Sequence, residues 1–242
     1  MQATATTSNG ISNHPVVSQE EWLKASQELL VKEKEFTKRK DQLSQERRDL
    51  PWVKVEKNYV FEGPEGNRTL SELFEGRNQL IVYHFMFGPG WDEGCSGCSF
   101  VSDHVDSARQ HFEHHDLSYV AVSRAPLAEF TPFKKRMGWT FRWYSSAGTD
   151  FNYDFGGSFR QDDLDKGPVL FNFTVQKINS QEQPGLSVFV KDEKGDIYHT
   201  YSSYERGLDM LLGAYNFIDL TPLGRNEKGP MDWMKFHDRY ED

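Results

Sequence analysis

An α/β protein built on a central mixed sheet flanked by helices is what this sequence predicts, and three observations carry the prediction. Two apolar runs, Leu80 to Phe87 and Leu117 to Ser123, have the near-continuous hydrophobic character of strands buried in parallel sheets. The stretches that follow each of them read as helices. Residues 186–204, LSVFVKDEKGDIYHTYSSY, read as strand, Asp-Glu-Lys-Gly turn and strand, an antiparallel hairpin. The chain has 242 residues, 37% hydrophobic and 14% aromatic, enough to bury a sizeable core.

Taken in order, residues 1–14 are small and polar, a flexible tail. Ser18 with Glu21 three positions on makes a capping box, opening a helix over about 19–49 that meets no Gly or Pro before Pro51. Its apolar residues, Trp22, Leu23, Leu29, Leu30, Phe36 and Leu43, form a narrow stripe with a repeat of about seven residues. Such a stripe has to lie on something, either its own domain or a second copy of the chain. WVKVEKNYVFE (52–62) reads as a strand, GPEGN as a turn, and TLSELFEG as a short helix opened by Thr69. Residues 99–115 look helical and carry His104, His111, His114 and His115, the last three expected on a solvent face.

PLAEFTPFKKRMG reads as a helix that Pro132 either kinks or begins. WTFRWYSS (139–146) reads as a further strand. From 147 to 184 the periodicity fades, and the Gly-, Asp- and aromatic-rich stretch reads as an ordered insert, with a substrate-lining role open. RGLDMLLGAYNFIDL reads as a closing helix. The expected organisation is a tail (1–14), an N-terminal helix (15–50), a main domain (51–225) with its insert at 147–184, and a C-terminal extension (226–242) anchored by Trp233, Phe236 and Tyr240.

A net charge of −9 leaves no footprint for nucleic acid or an anionic membrane. No apolar stretch reaches the roughly 18 residues a membrane span needs. The first residues, MQATATTSNGISNHP, lack the charged and apolar regions of a secretory signal, which points to a reducing, cytoplasmic setting.

The two cysteines, Cys95 and Cys98, form a CxxC after strand 80–87 and the Gly/Pro loop 88–94. Strand, loop, CxxC and helix is how thioredoxin-like domains display a reactive thiol pair. The element order, strand, CxxC helix, strand, helix, strand, insert, hairpin, helix, matches that architecture. In this reading Cys95 attacks and Cys98 resolves the mixed disulfide. Asp92 and Glu93 are expected to oppose the Cys95 thiolate. Pro184, just before the first hairpin strand, stands where such domains carry a cis-proline facing the cysteines. Arg124, after strand 117–123, is placed to steady an anionic substrate or a thiolate, and Ser145, Ser146, Asp150 and Asn152 near the insert are further polar candidates. A classical peroxiredoxin needs Thr or Ser three residues before its attacking cysteine and Pro four before that; here those positions are Asp92 and Gly88.

No cofactor is required by this reading. A second one keeps the same sulfurs but adds His199 from the hairpin, making a soft trigonal site for copper(I), in a copper-binding protein or copper-dependent oxidase. His84 is the weaker histidine candidate. A third reading is a non-catalytic dimeric scaffold, dimerising through the N-terminal helix.

Several blocks, ERRDLPWVKVEKNYVFEGPEG, LIVYHFMFGPGWDEGCSGCSF, VAVSRAPL, SSAGTDFNYDFG and YHTYSSYERGLDMLLGAYNFIDLTPLGRNE among them, resemble a bacterial and fungal family of thioredoxin-like proteins of unknown function. Its members are labelled predicted dithiol-disulfide oxidoreductases. The resemblance spans residues 14–240. It implies a thioredoxin-like fold and an intracellular protein whose CxxC falls on Cys95 and Cys98, and it names no substrate; the thiol-exchange reading itself expects a small-molecule or protein thiol substrate.

Overall fold

The structure, a computed structural model, describes residues 14–241, so the expected tail lies outside the described residues except for His14. The chain divides into two compact units. One runs up to Pro51 and includes Ala214–Asn226; the other is Trp52–Gly213 with the residues from Glu227 onward.

The first unit is dominated by helix α1, Gln19–Arg48, a helix of 30 residues. Its start is the expected capping box: Ser18 Oγ accepts from the Glu21 N–H, and Glu21 returns a carboxylate to the Ser18 N–H at 2.9 Å. Glu20 and Glu21 in the first turn and Arg47 and Arg48 in the last complement the helix dipole. None of its residues is buried, and Trp22, Leu23, Leu29, Leu30, Phe36 and Leu43 are all exposed. In the same unit Arg225 stacks over the Tyr215 ring and pairs with Asp219.

The second unit holds an eight-stranded sheet. In chain order its elements are β1 (Val53–Lys54), β2 (Val60–Gly63), β3 (Gly66–Thr69), β4 (Gln79–His84), α2 (Ser96–Ser102), α3 (Val105–Phe112), β5 (Leu117–Ser123), α4 (Leu127–Arg136) and β6 (Arg142–Ser145). There follow α5 (Phe151–Asp154), α6 (Gln161–Lys166), the separate small hairpin β7 (Val169–Phe171) and β8 (Thr174–Gln176), and the long hairpin β9 (Gly185–Lys191) and β10 (Ile197–Tyr204). Helix α7 is Gly213–Ile218, and its residues from Ala214 on are counted in the first unit. The sheet order is β1-β10-β9-β4-β5-β6-β2-β3. Strands β4, β5 and β6 run parallel, and β9 joins β4 antiparallel. The order β5-β4-β9-β10, with a helix after β4, is the thioredoxin-like core.

Alternation along these strands sorts the side chains onto two faces. Leu80, Val82, Val120, Val122 and Phe189 share one face, in a core with Phe61, Phe74 and Phe151. Tyr83, Phe85, Tyr119 and Trp143 share the other, under α2, α3 and α4. There Trp143 stacks on Phe130 at 4.6 Å between ring centroids and donates its indole N–H to Ser123 Oγ.

Some expected elements come out differently. The strand expected at 52–62 is two: Val53–Lys54 pairs with β10 at one edge of the sheet, and Val60–Gly63 pairs with β3 and β6 toward the opposite edge. The polar stretch Glu56 to Asn58 carries the chain across. The helix expected at 99–115 breaks at Asp103–His104 into α2 and α3, and Pro132 sits within α4 rather than at its start. The closing helix is a 3-10 turn, Glu205–Leu211, followed by α7. Within the insert 147–184, local hydrogen bonds build α5, α6 and the β7–β8 hairpin, none of which follows a long apolar repeat. No helix among the described residues is long and apolar enough to cross a membrane.

Candidate active site

The CxxC lies where β4 ends. Cys95 is the N-cap of α2, and its own N–H donates to the Met86 carbonyl at 3.1 Å. The Met86 N–H in turn donates to Cys98 Sγ at 3.4 Å. These two ties fix the cysteine loop to the strand it follows. Gly94 lets the loop approach closely: a Cβ there would stand 2.5 Å from the Phe85 ring. The two cysteines lie 4.0 Å apart and are not bonded to each other.

Their environments differ. Cys95 is half-buried and Cys98 fully buried. The Cys95 thiol is lowered to about 6, chiefly by a hydrogen bond from the Cys98 thiol; burial opposes this, and the N–H groups of Cys98 and Gly97 reinforce it. The Cys98 thiol is pushed well above its ordinary value, first by burial and then by its neighbour Cys95. Tyr83 lies against Cys98 and works in the opposite direction. Glu93 does not act as expected. Its carboxylate is paired with both Arg136 and Arg239 and held below its usual range, first by the Arg136 hydrogen bond, so its charge is spent on those cations.

The C-terminal segment lies over this helix as a strap. Met231 Sδ and Cys95 Sγ both approach the point where a Gly97 Cβ would stand, at 3.6 and 3.7 Å. Trp233 packs on Phe100, Phe236 on Phe133, His237 pairs with Asp103, and Asp238 with Arg136. Of the three anchors expected from the sequence, Phe236 is buried, while Tyr240 is exposed and uses its hydroxyl to receive the Lys235 N–H.

His199 is not brought to the cysteines. It is the cross-strand neighbour of Phe189, which pairs with Leu80, so it shares their face of the sheet; Cys98 sits against Tyr83 on the other. The residues present do not fit a copper site of Cys95, Cys98 and His199. Among the described residues no group of three or more His, Cys, Asp or Glu could hold a metal ion. Pro184 is not cis, for the described residues contain no cis peptide bond. Residues 157–159 pair with 181–183 in an extended bridge that delivers Gly185 directly opposite His84, so the chain needs no cis turn there.

Arg124 is not a free cation either. Its Nε and Nη2 both reach Glu182 Oε1, at 2.7 and 2.5 Å, and Nη2 also donates to Gln181. Glu182 is 1% exposed, and its other oxygen accepts from Ser158 at 2.6 Å. Nothing in the polar run SQEQP singled out this buried carboxylate. Ser145 and Ser146 spend their hydroxyls on the backbone at Ala125 and Ser123, and Asp150 pairs with Lys57 and Arg160. His111, His114 and His115 are exposed, as expected.

Across the sheet from the thiols runs a second polar set. His199 Nε2 lies 3.0 Å from the Tyr201 carbonyl, which can only accept, so that nitrogen carries the proton. The line continues through Ser202 at 2.8 Å, Ser187 at 3.0 Å and His84 Nε2 at 2.9 Å. A bulge between His199 and Tyr201 puts His199 and Ser202 on one face although they are three residues apart. His84 Nδ1 then faces Asn152; a Cβ on Gly157 would stand 2.7 Å from that nitrogen, so glycine is required. Burial lowers His84 to about 4.

The topology and the cysteine geometry define a thioredoxin-like protein with a dithiol at the end of its central parallel strand. The chain belongs to the family DUF899, described as a bacterial protein of unknown function, whose profile matches residues 11–240. No protein of curated function matches it. Solved structures that it resembles include peroxidoxin BcpB from Mycobacterium tuberculosis, at 16% identity over 70% of this chain and 97% of that one, TM-score 0.43. A proposed protein disulfide isomerase from Bacteroides thetaiotaomicron matches at 16% identity, over 69% and 91% of the chains, TM-score 0.39. Peroxiredoxin Q from Xanthomonas campestris matches at 12% identity, over 64% and 87%, TM-score 0.43. At these scores the likenesses add nothing to the topology described above.

Proposed function

We propose that the protein is a dithiol–disulfide oxidoreductase acting through Cys95 and Cys98. The observation that carries this reading is the asymmetry of the pair: a half-buried thiol drawn toward thiolate beside a fully buried thiol held protonated. The Cys95 thiolate attacks one sulfur of a substrate disulfide, forming a mixed disulfide and expelling the other half as a thiolate. Cys98 then gives up its proton and attacks Cys95 Sγ, closing the Cys95–Cys98 disulfide and releasing the second half. The substrate gains two electrons and two protons, and the protein loses them. An external dithiol restores the resting form. The strap over α2 narrows access to Cys95, which favours a small disulfide over a folded protein as substrate. A reducing, cytoplasmic setting suits a protein whose working form is the dithiol.

The test is the equilibrium of the full chain with mixtures of reduced and oxidised glutathione, followed by quenching and mass analysis. A reversible loss of two hydrogen atoms with a single midpoint is expected, and Cys98→Ser should trap glutathione on Cys95. If Cys95 and Cys98 form no reversible disulfide at any poise, and Cys98→Ser traps nothing, the reading is wrong.

A further inference from the structure

Helix α1 carries an apolar stripe that nothing among the described residues buries. Trp22, Leu29, Phe36 and Leu43 stand seven residues apart, and Leu23 and Leu30 widen the stripe at its start. A strict seven-residue repeat keeps one seam turned toward a partner helix along a left-handed pair. Helices in proteins draw most of their stability from packing an apolar face. Here Trp22 is 56% exposed and Phe36 70%, and no residue of the helix is buried.

Two features of α1 say what covers this face. The first is charge. Residues 19–33 carry four acidic and two basic side chains, whereas residues 34–48 carry six basic and three acidic ones. Glu20 and Glu21 stand at one extreme, Arg47 and Arg48 at the other. Two copies laid parallel would set like charge on like. Laid antiparallel, the acidic half of each copy meets the basic half of the other.

The second feature is that the stripe complements itself when reversed. In a two-fold pairing, if residue i meets residue j of the other copy, then j meets i in return. Setting Trp22 against Leu43 also sets Leu29 against Phe36, with the axis passing between residues 32 and 33. Each aromatic ring then faces a leucine, and the large side chains alternate with smaller ones along the seam.

We propose that α1 is a dimer interface, pairing antiparallel with α1 of a second copy of this chain in that register. The pairing uses the same stripe on both copies, so it closes at two and leaves no open end for further growth. A helix of 30 residues is ~45 Å long and ~10 Å across. The paired strip therefore covers ~450 Å² of each copy, and the total of ~900 Å² is at the low end of specific interfaces. The dimer is accordingly reversible, with a dissociation constant on the order of 10 μM.

Sedimentation velocity on the full chain, at concentrations either side of ~10 μM, reads the association directly. A monomer–dimer equilibrium is expected, with no larger species. The double variant Leu29→Glu, Phe36→Glu places charge at the centre of the seam and should weaken dimerisation roughly 100-fold. Orientation is read by a photo-crosslinking benzoylphenylalanine in place of Trp22, with the covalent dimer digested and mapped by mass spectrometry. The crosslink should fall on the segment around Leu43. The proposal is overturned if the wild-type chain stays monomeric throughout, if the double variant dimerises as well as the wild type, or if the crosslink joins the two Trp22 segments. The wild-type sedimentation and the crosslink decide on their own should the double variant fail to fold.

Discussion

The Cys95 thiol owes its acidity first to another thiol. The Cys98 S–H hydrogen bond is the largest influence on it, ahead of the backbone N–H groups, and no cationic side chain is involved. Glu93, the expected opponent, is neutralised by two arginines. The iodoacetamide reaction rate of Cys95 should therefore rise with pH about a midpoint near 6. In Cys98→Ala the midpoint should move up toward the ordinary thiol value of about 8.5. An unchanged midpoint in that variant would assign the effect to the backbone instead. At Arg124 the same logic of partners applies in reverse: a residue legible as a cation is committed to Glu182, a buried carboxylate.

Among the elements, the C-terminal strap bears most on access to the thiols. It is not a regular element; its single 3-10 turn, His237–Arg239, is held by side chains, with Phe236 against Phe133 and Trp233 against Phe100. Ion pairs from Asp238 and Arg239 to Arg136 and Glu93 complete the attachment. Removing the residues after Asn226 should speed alkylation of Cys95 several-fold at pH 7, with the far-ultraviolet circular dichroism little changed. An unaltered rate would mean that the strap does not shield the sulfur.

For the molecule as a whole, the polar line from His199 through Ser202 and Ser187 to His84 ties three strands together inside the sheet's other face. His84 is kept neutral by burial, at about 4 against an ordinary 6.5. Between those values the unfolded chain binds a proton that the folded one does not, so stability falls as pH falls through this window. From pH 7.5 to pH 5 the loss at His84 should be ~2 kcal/mol, with His199, also lowered by burial, acting in the same direction. Urea unfolding midpoints at the two pH values measure it, and His84→Asn should flatten the dependence. If the variant keeps the full slope, His84 is not the group responsible.

Local patterns determined much of this protein. The capping box at Ser18, the buried strand Leu117–Ser123, the hairpin and the CxxC after β4 are each set by residues near one another in sequence, and each stands where its pattern placed it. Tertiary structure decided what depends on distant neighbours. The stretch 52–62 splits because its two ends pair with different edges of one sheet. His199 belongs to the wrong face for the cysteines because strand alternation, counted through Phe189 and Leu80, puts it there. Ser187 and Ser202 carry no signal until the bulge at Thr200 brings His199 into line with them, and Glu182 none until Arg124 meets it 58 positions away. The thiol pair was visible from its spacing. Its asymmetry was not, because burial and hydrogen bonding, which separate two chemically identical side chains, exist only once the chain has folded around them.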